Sequence, residues 1–242
     1  SKVNNNDWVI RQDIDTTNIK EANAIAVDAV KRGAEAIGFN VSNVMSANDI
    51  DALLEGINAE NTGLHFLHAS DYLKLAALFD QWLTKKQFNP SKVKGSFNFD
   101  PLAYVLLYGG FYESKEHNFN QAKELINVFG KKYPNFRIIN VNGQHFHAAG
   151  ATIVQELAFA LCQGNEYLAA LSEIGLSAEC IAPKMQFTFG IGGNYFMEIA
   201  KFRAVRMLWA KIVEQYASNK AIANMYIHAE TSLWNKTIYD PY

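Results

Sequence analysis

The chain has 242 residues, 49% of them hydrophobic and 19% charged, with a formal net charge of −2. This is enough apolar material for a full core and excludes a disordered chain, while the near-neutral charge gives no electrostatic footprint for nucleic acid. No apolar run reaches the roughly 18 residues that a membrane span needs, and the polar stretch at residues 1–7 lacks the apolar region of a secretory signal.

Strand-like and helix-like patterns alternate from the start. Residues 8–14 read as a first strand. Residues 18–32 then place Ile19, Ala22, Ala26, Ala29 and Val30 on one helical face, with Asn18 and Glu21 as a capping arrangement and Gly33 as the stop. Strands are expected at 36–39 and 63–68. A helix over 71–86 carries Tyr72, Leu75, Phe79, Trp82 and Leu83 on one stripe, and Lys85 and Lys86 suit its C-terminal dipole. Next come a strand over 93–99, a helix over 120–129 closed by Gly130, and a strand over 136–141. Helical periods recur over 151–171 and 196–216, the second read as the longest helix. Met185, Phe187 and Phe189 alternate with polar residues in a strand over 184–189, and 225–229 forms the last strand.

Strands separated by helices imply βαβ units and a parallel sheet. Seven such units without a glycine-rich first turn favour a TIM-type (β/α) barrel over an open doubly wound sheet. Residues 1–242 are therefore expected to form a single α/β barrel domain that is incomplete, with about seven of eight units and a truncated C-terminal end. Cys162 and Cys180 fit no CxxC or zinc spacing. The expectation is two buried thiols in a reducing compartment, the cytoplasm.

In a parallel barrel, chemistry sits at the C-terminal ends of the strands. That rule selects Asp13, Asn40, His68, Asp100, the turn at 142–147, the turn at 190–194, and His228 with Glu230. His145 and His147 form an H-x-H pair. On a strand they would share a face and could share a metal, but two ligands are too few, which leaves a single functional histidine or a structural polar pair. The glycines of 190–194 precede a helix and could cradle a phosphate; close helix–strand packing explains them better. His228 and Glu230 are either a proton-transfer pair or a hydrogen-bonded rim pair.

Several longer motifs carry a resemblance. Trp8-x-Ile10-Arg11-Gln12 opens the domain. Gly143-Gln144-His145-x-x-x-Ala149-Gly150-Ala151 and Ala182-Pro183-Lys184 follow. The longest is Gly190-Ile191-Gly192-x-Asn194-x-Phe196-Met197-Glu198-Ile199-Ala200-Lys201, continuing through Arg203-Ala204 and Arg206-x-Leu208-Trp209-Ala210-Lys211. His228-x-Glu230-Thr231-Ser232-x-Trp234 and Asp240-Pro241-Tyr242 close the series. In this order they resemble the substrate-binding barrel of the methylmalonyl-CoA mutase family. The resemblance implies an adenosylcobalamin-dependent isomerase that interconverts methylmalonyl-CoA and succinyl-CoA, with CoA threaded along the barrel axis. A separate cobalamin-binding domain bears a D-x-H-x-x-G motif, and no D-x-H occurs in these 242 residues.

The departures from the family pattern fall on its chemistry. Asp13 stands where active chains carry a tyrosine, and Asn6 where they carry an arginine. Asn98 replaces a glutamine, and Tyr108 replaces the arginine that pairs with the substrate carboxylate, a charge that tyrosine cannot supply. His145 is retained, while its neighbour is Gln144. Lys184 and Gln186 fall in the altered CoA-side segment, and Glu230 replaces a glutamine. The resemblance is therefore to the small, non-catalytic subunit that pairs with a catalytic large subunit. It implies His145 as a vestigial catalytic position, Asn98, Tyr108, Lys184, Gln186 and Glu230 as substituted substrate positions, no metal, and no cofactor bound by this chain alone. No nucleic acid or membrane partner is expected. The alternative is an independently active acyl-CoA mutase, or another barrel enzyme, with an altered substrate site built on His145, Asp13, His228 and Glu230.

Overall fold

A computed structural model describes residues 8–44, 46–237 and 239. Asn6, the polar start at 1–7 and the closing Asp240-Pro241-Tyr242 lie outside the described residues. In chain order the elements are β1 (Arg11–Asp15), α1 (Ile19–Lys31), β2 (Ala36–Asn40), α2 (Ala47–Leu53), β3 (Gly63–Leu67), α3 (Tyr72–Lys85), β4 (Gly95–Phe99), α4 (Pro101–Tyr108) and α5 (Lys115–Leu125). They continue as β5 (Phe136–Asn142), α6 (Gln144–Ala148), α7 (Ile153–Glu173), α8 (Ala178–Ile181), β6 (Met185–Ile191), α9 (Tyr195–Val213) and β7 (Tyr226–Thr231). The fold is α/β with parallel strands, as expected. The chain divides into two compact units: the described residues up to Phe99 with Glu124–Ile138, and Asp100–Lys123 with the described residues from Ile139 onward.

In the first unit β1, β2, β3 and β4 pair in chain order, all parallel. Register partners in a parallel sheet point to the same side, and alternate residues to opposite sides. Ile14, Phe39, Phe66 and Phe97 therefore share one face. Phe66 meets Phe79 of α3 with ring centroids 4.8 Å apart, and Phe97 meets Phe129 and Phe136 at 5.0 and 4.8 Å. All of these rings are buried. Edge-to-face packing of this kind adds to the ordinary gain from removing apolar area from water.

In the second unit β5, β6 and β7 pair in parallel, again in chain order. Ile139, Val141, Met185, Phe187, Phe189, Ile227 and Ala229 line one face. Helices cover it: Phe187 packs 4.7 Å from Trp209 of α9, and Phe189 lies 6.1 Å from Phe202. Gly164 of α7 lets that helix approach, because a Cβ there would stand 2.9 Å from the rings of Phe187 and Trp209.

Side-chain caps start most of the helices. Asn18 accepts from Glu21 N–H, Ser46 with Asp49 and Thr152 with Gln155 form reciprocal capping boxes, and Asp71, Asp100 and Asn194 cap α3, α4 and α9. Several expectations need correction. α7, with 21 residues, is longer than α9, with 19. Gly130 does not cap a helix; it is buried within a π-helical turn, Ile126–Gly130. Trp8, Val9 and Ile10 precede β1 and are exposed. Cys162 is exposed and Cys180 half-buried, because their positions on α7 and α8 turn away from the core stripe. Among the described residues, no helix is long and apolar enough to cross a membrane.

Candidate functional site

The face of each sheet opposite its helices carries the polar residues. In the second unit that face holds Asn140, Asn142, Gln186, Thr188, Tyr226, His228 and Glu230, so His228 and Glu230 do share a side. Its centre is a hydrogen-bonded chain. Thr188 Oγ1 donates to Asn140 Oδ1 (3.1 Å), and Asn140 Nδ2 donates to Asn142 Oδ1 (2.7 Å), which also accepts from Gln144 Nε2 (3.0 Å). Asn142 then donates its backbone N–H and Nδ2 to Asp100 Oδ2 at 2.9 and 2.8 Å. The other oxygen, Oδ1, accepts from Gln163 Nε2 and Tyr167 OH, both at 2.6 Å, and from Ala103 N–H at 3.0 Å as the cap of α4. Burial pushes the Asp100 carboxyl above its ordinary value, against the hydrogen bonds from Tyr167, Ala103 and Asn142, and pushes the Tyr167 phenol up as well, with the Asp100 charge adding to it.

A second cluster holds the ends of β6 and β7. Lys201 Nζ lies 2.8 Å from Glu156 Oε2, 2.7 Å from Glu198 Oε2 and 2.6 Å from the Gly190 carbonyl, and all three charged side chains are buried. Gly190 N–H donates to Glu156 and Gly192 N–H to Glu198, each at 2.9 Å. The glycine turn therefore already spends two of its amides on carboxylates, which argues for the packing reading over a phosphate cradle. Gly190 lacks a side chain because a Cβ would sit 2.8 Å from the His147 ring.

His145 and His147 lie on helix α6, not on a strand, so residues two apart do not share a face and the pair does not converge. His147 Nε2 is 2.7 Å from Ser232 Oγ, and its Nδ1 is 3.8 Å from Glu156 Oε2. Serine, histidine and acid stand here in the order of a nucleophilic triad. But Ser232 is buried, its Oγ also accepts Trp234 N–H at 3.1 Å, and Glu156 is paired with Lys201. The set fastens the turn after β7, with Trp234 Nε1 donating to the His147 carbonyl at 3.1 Å. Among the described residues no three His, Cys, Asp or Glu side chains are grouped to hold a metal.

In the first unit the polar face carries Arg11, Asp13, Asp15, Ala36, Gly38, Asn40, Gly63, His65 and Ser96. His65 Nδ1 lies 2.7 Å from Ser96 Oγ, both buried. Asp13 is mid-strand in β1 rather than at a strand end, and it pairs with Arg11.

The other sequence candidates are distributed as follows. Asn98 is on β4, where its carbonyl accepts from Tyr72 OH at 2.8 Å. Tyr108 ends α4 with 71% of its surface exposed, its ring 4.5 Å from that of Tyr104. Lys184 closes a buried 3-10 turn, Gln186 is buried on β6, and Glu230 is exposed on β7. Asn40 ends β2, and His68, just past β3, adopts φ 54°. Sequence reasoning missed Gln163, Tyr167, Glu156 and Lys201, which come from helices. A polar residue at a helical core position was the available signal.

Comparison with known proteins gives a consistent answer. The methylmalonyl-CoA mutase family model matches residues 37–242. The chain is 38% identical to the methylmalonyl-CoA mutase small subunit of Porphyromonas gingivalis (strain ATCC BAA-308 / W83), over 97% of this chain and 38% of that protein. It is 27% identical to the large subunit of Propionibacterium freudenreichii subsp. shermanii, over 97% of this chain and 36% of that protein. It is 31% identical to the methylmalonyl-CoA mutase of Rhizobium meliloti (strain 1021), over 81% of this chain and 28% of that protein. The chain thus spans less than two fifths of the length of these relatives.

Proposed function

Because the chain belongs to the methylmalonyl-CoA mutase family, we propose that it is the non-catalytic small subunit of a heterodimeric, adenosylcobalamin-dependent methylmalonyl-CoA mutase, working in the cytoplasm beside a catalytic large subunit. On this reading residues 1–242 correspond to the family's substrate barrel, and the assembled enzyme interconverts methylmalonyl-CoA and succinyl-CoA. The small and large subunits of Porphyromonas gingivalis are 38% and 28% identical to this chain, which supports the small-subunit assignment.

Tyr108 carries the non-catalytic reading. It stands where the family's carboxylate-pairing arginine would be, and it is an exposed phenol resting on Tyr104. Desolvating a substrate carboxylate without a guanidinium partner is costly. His145 is then a vestige of the catalytic position, and Asn98, Lys184, Gln186 and Glu230 are substituted substrate positions. No D-x-H occurs in the sequence, so the residues present do not supply the motif with which the family holds cobalamin. Adenosylcobalamin enters this reading through the assembled enzyme alone.

Co-expression with a mutase large subunit should yield a complex that stays together through size-exclusion chromatography. The chain alone, given adenosylcobalamin and methylmalonyl-CoA, should produce no succinyl-CoA. Turnover by the isolated chain would overturn the reading in favour of an independent mutase.

A further inference from the structure

Helix α9 is amphipathic in a partly inverted sense. Its sheet side buries Glu198 and Lys201 together with Val205, Trp209 and Val213. The two charges pair with each other, and Lys201 pairs with Glu156 as well. Its outward side carries Phe196, Ile199 and Met207, which are 80%, 42% and 58% exposed. A surface helix ordinarily turns its apolar stripe to the core and its charges to water. Packing accounts for the buried residues of this long sequence motif, but not for these three.

Helix α7 lies alongside and extends the same surface. Two contacts fix how the helices run. Glu156 reaches Lys201, and a Cβ at Gly164 would stand 2.9 Å from the Trp209 ring. These contacts are eight residues apart on each helix, so the two run in the same direction, with Val154 level with Ile199 and Cys162 level with Met207. From Thr152 to Cys162, about three turns, the one charged residue is Glu156, and it is buried. What α7 exposes there includes Val154, Ala158, Phe159 and Cys162.

The charge on this surface is one-sided. α9 exposes Arg203, Arg206 and Lys211 and no acidic side chain. Arg206 donates to the Met225 carbonyl, and among the described residues no carboxylate pairs with any of the three. The complementary surface is an apolar ridge with carboxylates along one edge. An anionic lipid surface fits less well. It would meet the exposed Glu173 and Glu214 at the ends of the two helices as well as the cations, whereas a polypeptide places its carboxylates singly.

We propose that the outward face of α7 and α9 is a docking surface, and that its occupant is a segment of the large subunit presenting apolar side chains edged by carboxylates. The identity of the partner rests on the small-subunit reading; its chemistry rests on the side chains that α7 and α9 expose.

The test titrates the full chain against a purified mutase large subunit. Met207→Asp sets a charge within the apolar strip, and Arg203→Glu reverses its cationic edge. Both side chains are exposed, so both variants should fold with the wild-type Tm. Each should bind the large subunit about tenfold or more weakly. Lys86→Glu, an exposed cation at the end of α3, should bind as the wild type does. The docking surface is overturned if either Met207→Asp or Arg203→Glu binds as tightly as the wild type, or if Lys86→Glu weakens binding as much as they do. A wild-type homodimer that Met207→Asp dissociates in sedimentation would overturn the choice of partner in favour of a second copy. Vesicles of phosphatidylserine and phosphatidylcholine that bind the wild type but not Arg203→Glu would overturn it in favour of a membrane. The two readings separate on the wild type: no binding to the large subunit overturns the small-subunit reading and this partner with it, while binding that the variants leave intact overturns the docking surface alone.

Discussion

The four-stranded sheet of the first unit and the three-stranded sheet of the second each bury an apolar face beneath helices, but they furnish the opposite face differently. On the first sheet the residues are small, and the contacts among their polar neighbours include Arg11 with Asp13 and His65 with Ser96. On the second they are amides, hydroxyls and carboxylates joined end to end from Thr188 to Tyr167, with a buried ionic cluster at the rim. A pair can be dissolved with a local cost. A connected buried network transmits the loss of one member to groups that cannot reach water. The first face is therefore the adaptable one, and the second is committed to holding its own fold.

The sharpest way to break that contrast is Lys201→Met. It leaves Glu156 and Glu198 facing each other without a cation in a buried site, and removing one partner of such a cluster costs about 3–5 kcal/mol. Denaturant unfolding should show a large drop in the midpoint, and Glu156→Gln added to Lys201→Met should recover part of it. A loss below about 1 kcal/mol, the scale of an exposed ion pair, would mean that the cluster is not sealed from water.

Asp100→Asn should rank next. The amide keeps the volume but turns one acceptor into a donor, directed at groups that already donate. About 2–3 kcal/mol is expected for the buried donors left unsatisfied. The pH dependence has a definite sign. Burial raises the folded-state value of Asp100, so the folded protein holds this proton more tightly than the unfolded chain. Its stabilising effect is fully present below the ordinary value of 3.8 and is lost as the pH rises through the raised one. The stability gap between wild type and Asp100→Asn should therefore widen on acidification.

How much of this could be read from the sequence follows from which interactions are local. Strands such as 36–40 and 136–142 are legible because apolar and β-branched runs bounded by turn residues report burial directly. α2 escaped although Ser46 and Asp49 spell out its capping box, because only Ile50 and Leu53 mark its core side. α6 was read only as a turn after the strand, because five residues carry too little period to announce a helix. For the candidate site, the motifs located Arg11, Asp13 and Tyr108, but not what each touches. That Asp13 pairs with Arg11 over Gly38 depends on register between strands 25 residues apart in the chain. Likewise Gln163 and Tyr167 reach Asp100 from more than 60 residues away. Long-range pairing of this kind leaves no local pattern.

Ser96→Ala is the smallest effect and the most discriminating. The hydroxyl lies 2.7 Å from His65 Nδ1, and both residues are buried, so its removal leaves one ring nitrogen without its partner. The net worth of one such bond is about 1 kcal/mol. Hydrogen exchange should show faster opening confined to β3 and β4, with β5 and β6 protected as in the wild type. If Ser96→Ala instead costs as much as Asp100→Asn, or loosens β5 and β6 as well, the first face is networked too. The contrast between a face of separable pairs and a face of linked groups would then have to be abandoned.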